Sequence, residues 1–139
     1  MASLADVEIA LSNRFSALGY TYVSWPNGPE VSAPAGSTVY EVDILHSRGM
    51  AAAITHNAAD RYYGYLQVKV LSPASGAGVT RVRTEATAIM AQFKKGTVVT
   101  HNGVNVSCYT PTMRHLDHPN RAWYCIVVEC PWWADVYSA

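Results

Sequence analysis

Arg61-Tyr62-Tyr63-Gly64-Tyr65-Leu66-Gln67-Val68-Lys69-Val70-Leu71 is the stretch on which the fold turns. Tyr62, Leu66, Val68 and Val70 fall on one side of an extended chain, with Gly64 between them. Tyr63, Tyr65, Gln67 and Lys69 fall on the other. A period of two with one apolar side marks a strand with that side buried. Thr38 to His46 repeats the pattern upstream: Tyr40, Val42 and Ile44 point one way, Glu41 and Asp43 the other. Ala122 to Cys130 is apolar on both sides, which predicts a closing strand that is central or at an interface.

Two amphipathic helices flank these strands. Leu4, Val7, Leu11, Phe15 and Leu18 recur every three or four residues behind Ser3, with Asp6 three residues on as a capping-box partner and Gly19 as the stop. Val79, Val82, Ala86, Ile89, Met90 and Phe93 form the second apolar stripe. Lys94 and Lys95 are expected in its last turn, where positive charge complements the helix dipole, and Gly96 ends it.

The connections follow from turn chemistry. Tyr20 to Trp25 reads as a short strand, and the prolines and glycines from Pro26 to Gly36 as an extended loop. Thr97–Thr100 and Val104–Tyr109 flank Asn102-Gly103, a strong short hairpin signal. Residues 47–60 read as a long loop or irregular hairpin, and 111–121 as a polar loop. The order helix, strands, helix, hairpin, strand predicts a two-layer α+β fold. One mostly antiparallel or mixed β-sheet carries both helices on one face. The other face would show Glu41, Asp43, Tyr63, Tyr65, Lys69 and Glu129, and is either solvated or buried against another copy.

At 139 residues the chain has the length of one domain, read here as 1–139, and enough to bury a core without disulfides or metal. Half of it is apolar and only 14% is charged, a balance that excludes intrinsic disorder. No apolar run approaches the ~20 residues of a membrane span, and no signal peptide is evident, so the chain reads as cytosolic. Ten basic residues against ten acidic ones leave no excess for gripping duplex DNA. Zero net charge, nine tyrosines and four tryptophans instead favour a protein that works by assembling.

Catalytic and metal chemistry find little support. Cys108, His115, His118, Cys125 and Cys130 are the metal-like set, with His115-x-x-His118 able to supply two ligands from a loop. Cys125 and Cys130 are five apart on a strand and point to opposite faces, so buried cysteines are the better reading. Three cysteines in a cytosolic setting do not indicate a disulfide framework. Ser72 to Gly78 joins strand to helix but lacks the Lys-Ser/Thr pair of a phosphate loop. Glu41 and Asp43 could act as paired carboxylates, and a solvated strand face explains them more simply. The expectation is a non-enzyme without cofactor. The aromatics are the remaining signal. Tyr62, Tyr63 and Tyr65 crowd one strand and Trp123, Tyr124, Trp132 and Trp133 the last segment, so they cannot all share one face.

The ordering resembles the tail terminator (tail-completion) proteins of tailed bacteriophages. The similar stretches are the opening helix, Trp25-Pro26-Asn27, the strand at 61–70, the Lys94-Lys95-Gly96-Thr97 helix end, the hairpin, and the last strand running into Pro131-Trp132-Trp133-Ala134-Asp135. The likeness spans about residues 4 to 135 and is weakest over 47–60.

That resemblance implies a virion protein forming a ring, typically hexameric, on the head-proximal end of the tail tube. The ring would end tube growth and dock the head–tail connector, with the tail tube protein and neck proteins as partners. DNA would pass through it without sequence-specific binding, no membrane would be involved, and assembly would take place in the host cytoplasm. A ring needs two different patches per subunit. The expected subunit interface is Tyr63, Tyr65, Trp123, Trp132 and Trp133. Expected tube or connector contacts are Arg48, Met50, His56, Arg114, His115 and His118, and Glu41, Asp43 and Lys69 would line the channel. The alternatives are another neck or head–tail joining protein, or a small metal-dependent hydrolase built on 108–125.

Overall fold

The alternation in Arg61–Leu71 extends beyond both ends of that stretch. The computed structural model describes residues 3–26, 28–29, 31–47, 50–51, 59–74, 78–116 and 122–137. In it, β4 runs Ala59–Pro73 and pairs along its whole length with β8, Trp123–Tyr137. Both strands are 15 residues long, so the closing strand reaches well past Cys130. Its extension includes Pro131, a residue that cannot donate to a ladder. Pro131 lies where β8 changes partners, between β7 (Thr112–Leu116) and β6 (Val104–Cys108). Its carbonyl accepts from Tyr109 N–H on that side (2.9 Å), so its ring nitrogen faces the same gap and no ladder bond is lost.

On the other side of β4 lie β2 (Val39–His46) and, beyond it, β3 (Met50–Ala51). The curled mixed sheet has the order β1-β2-β4-β8-β6-β5, with β3 on β4 and β7 on β8. β1 is Val23–Ser24, parallel to β2 and shorter than the strand expected over Tyr20–Trp25. β5 (Val98–His101) and β6 form the expected hairpin. Asn102 and Gly103 both take positive φ, 49° and 79°, as a two-residue primed turn requires. Two sequence expectations change here. Residues 112–116 are a strand rather than loop, because β8 offers them a free ladder. Residues 50–51 and 59–60 are strand too, the paired part of the irregular hairpin.

Helix α1 is Leu4–Ser16, opened by the Ser3–Asp6 capping box: Ser3 N–H donates to Asp6 Oδ2 (2.8 Å). It unwinds through Ala17 and Leu18 before Gly19 turns the chain at φ 75°. Helix α2 is Gly78–Gln92. It stops before Lys94 and Lys95, so these lysines follow the last turn rather than occupy it.

Both helices cover the even-numbered side of the central strands. Val7, Leu11, Phe15, Val82, Ala86, Ile89 and Phe93 pack there against Leu66, Val68, Val70, Ile126, Val128 and Trp132. Full burial of one such side chain is worth about 1.5–3 kcal/mol. Tyr20 stacks on Tyr40 (4.0 Å between ring centroids), and both hydroxyls bond to Glu85 of α2. Burial and that carboxylate push both phenols well above their ordinary value.

Candidate assembly surface

Among the described residues no helix packs on the odd-numbered side of β2, β4 and β8, although Leu71, Cys125 and Val127 are buried there. Register places its residues in rows across β2, β4, β8 and β7. Glu41 lies beside Lys69, Lys69 beside Val127, and Val127 beside Arg114. The next row is Asp43, Gln67, Glu129 and Thr112. These two rows make a polar half in which Arg114 Nε reaches Glu129 Oε1 diagonally (3.4 Å). Glu41 and Asp43 are exposed and Lys69 is half-buried. A groove beside them is lined by Ser24, Trp25 and Pro26.

Further along the same strands the surface turns apolar. Leu45, Tyr65 and Pro131 form one row, and Tyr63 pairs with Trp133 in the next. Leu45, Tyr63 and Tyr65 are 45%, 37% and 49% exposed, unusual values for three neighbouring large apolar groups. With His46, Ser47 and Gly64 they outline an open recess. Gly64 is required at its floor. A Cβ there would press on the Leu45 carbonyl and come within 2.6 Å of the Trp132 ring.

Beyond the recess, Arg61 forks onto Asp135 with bonds of 2.7 and 2.8 Å and lies 4.5 Å over the Trp133 ring. That fork holds the Asp135 carboxyl below its ordinary value and keeps Trp133 half-buried. Trp123 is half-buried at the far end of β8. Trp132 faces the opposite way and is 1% exposed under the helices. It therefore leaves the expected interface set, for the alternation that exposes Trp133 buries its neighbour.

Arg114 and His115 lie on the edge strand β7 rather than in a loop, both exposed. Met50 lies in β3 opposite Arg61. Arg48, His56 and His118 are outside the described residues. Leu45, the next odd position after Asp43, joins this face beside Tyr65, a place its alternation signals and the expected set lacks. Met113, 43% exposed on β7, lies beside Val128 on the helix side of the sheet and is not part of this face.

The metal-like set does not converge. Cys108 and Cys130 lie in the core under the helices, and Cys125 is buried on the opposite side of the sheet. Burial pushes the Cys108 thiol up to about 11 and Cys130 to about 12, so neither is a ready thiolate ligand or nucleophile. Among the described residues no group of three His, Cys, Asp or Glu is placed to hold a metal. No helix among them is long and apolar enough to cross a membrane.

The sequence model of the phage tail terminator protein matches residues 6–132. The chain belongs to the phage tail terminator family. Its role is structural, in a phage tail, among other tail components of the virion. One solved structure, 21% identical, superposes with a TM-score of 0.66 and covers 99% of this chain and 97% of its own. Another, from the virion of a native gene transfer agent particle, is 16% identical with a TM-score of 0.57, covering 98% and 100%. Both share the fold. No curated protein matches the chain.

Proposed function

We propose that this terminator-family protein acts as a ring, hexameric in its working form, on the head-proximal end of the tail tube. There it ends tube polymerisation and presents a docking face to the head–tail connector. Subunits fold as one domain, assemble in the host cytoplasm, and leave a channel through which DNA passes without base-specific contacts. The observation that carries this reading is the exposed Leu45–Tyr63–Tyr65 patch on the side of the sheet away from the helices, in a chain of the terminator family. Zero net charge supports it, since no net charge repels one copy from another. In this arrangement the apolar half of the face meets a neighbouring subunit, and Glu41, Asp43 and Lys69 of the polar half face the channel.

The test is mass and shape. Light scattering across a concentration series, with and without purified tail tubes, should reveal a species near six times 15.1 kDa, and negative stain should show a central hole. Tyr63→Asp combined with Tyr65→Asp should abolish assembly while leaving the circular dichroism spectrum and melting temperature of the monomer unchanged. An intact ring in that double variant, or a monomer that ignores tail tubes, would overturn the reading.

A further inference from the structure

Two of the sheet's edges, those of β2 and β7, carry opposite charge. β1 pairs with the outer side of β2 at Tyr40 and Glu41. Trp25 and Pro26 flank the groove beside Val42 and Asp43, and Glu8 of α1 lies 3.7 Å from His46. No strand pairs with Val42–His46 on that side among the described residues. β7 has β8 on one side and, among the described residues, no strand on the other. The β2 edge presents Asp43 beside Glu41, and the β7 edge presents Arg114 with His115. Taken diagonally across the two rows, the polar half is acidic on β2, basic at Lys69, acidic at Glu129 and basic at Arg114. A cross-strand alternation of sign stabilises a sheet, and here it stops at β7 with a basic residue exposed.

We propose that the alternation continues into a second copy of this chain: β7 of one subunit adds antiparallel to the β2 edge of the next, with Arg114 opposite Asp43. This deepens the ring reading and rests on it, by naming the two different patches that a head-to-tail contact needs. Backbone direction permits the pairing. Tyr40 N–H points outward to Tyr22, so Ile44 and His46 face outward on β2. Pro131 points toward β7 and Tyr109, so Met113 and His115 face outward on β7. With Arg114 opposite Asp43, Ile44 and Met113 meet as a hydrogen-bonded pair and Leu45 lies beside Thr112. The chain before Thr112 then runs toward the neighbour's apolar recess and brings Tyr109, itself 44% exposed, to Leu45, Tyr63 and Tyr65. Edge strands are normally kept from pairing by like charges or covering loops. Two edges of opposite sign in matching register do the reverse.

The experiment is a charge exchange read by light scattering and negative stain on tail tubes. Asp43→Arg alone and Arg114→Asp alone should each weaken self-association on the order of tenfold or more, by setting like charges side by side. The two together should restore it. Independently, Leu45→Cys with Thr112→Cys keeps both charges and should give an oxidised ladder of multimers on a non-reducing gel. Within one subunit those positions are three strands, about 14 Å, apart and cannot bridge. Wild-type rings with single charge variants that assemble normally and no ladder would overturn the edge pairing and leave the ring standing. No wild-type assembly, alone or on tubes, would overturn both.

Discussion

Gly64 shows how one residue's missing side chain sets two surfaces. It sits in β4 against the Trp132 ring and against the backbone of β2, so both the indole and β2 approach closely. Without it Trp132 would rise into the helices, and Leu45 would shift at the rim of the recess. Gly64→Ala should therefore destabilise the fold by about 1–3 kcal/mol, the usual cost of overpacking a filled core. A denaturant titration with unchanged slope checks this, and an unaltered midpoint would show that both the Trp132 ring and the β2 backbone have room to move.

At the scale of elements, the start of α1 and the tip of the β5–β6 hairpin are joined through one carboxylate. Asp6 accepts from Ser3 N–H at 2.8 Å and from Asn102 Nδ2 at 3.4 Å, and His101 Nε2 lies 3.8 Å away. The Ser3 bond is the main cause holding this carboxyl below its ordinary value. A depressed carboxylate contributes stability that is fully present above its unfolded pKa of about 3.9 and is lost as pH falls through the lower folded value. Asp6→Asn should thus lower the melting temperature at neutral pH, and the gap from wild type should close on acidification below about pH 4. A gap that is constant with pH would show the carboxylate charge to be irrelevant.

Most elements were legible in the sequence because their apolar periods are clean. The Leu4–Phe15 stripe, the Tyr40–Ile44 alternation and the Asn102-Gly103 turn each carry a local signal that the fold obeys. β7 was not legible, since Thr112–Leu116 is polar and outward and becomes a strand only because β8 lies beside it. The length of β8 was hidden by Pro131, whose place at a change of partner is a property of the sheet alone. The assembly surface was half legible: alternation exposed Tyr63 and Tyr65, while Trp132 followed the opposite parity into the core.

For the whole molecule the central fact is that Ala59 pairs with Tyr137 and Pro73 with Trp123. Helix α2, the β5–β6 hairpin and β7 all lie in the loop that this pairing closes. Closing so long a loop costs chain entropy before any contact repays it, and topologies of this kind fold in about milliseconds to seconds. Stopped-flow refolding should place the main phase in that range. Completion within microseconds would mean that the core forms without the β4–β8 ladder.

β7 pairs with β8 and with no other strand among the described residues. The edge that carries Arg114 thus comes into being only once Thr112–Leu116 has paired with the last strand. A chain caught midway through folding has no such edge to extend toward a neighbour. Under the proposed edge pairing, placing the last strand and gaining the surface that joins another subunit become one event, a form of proofreading written into strand order.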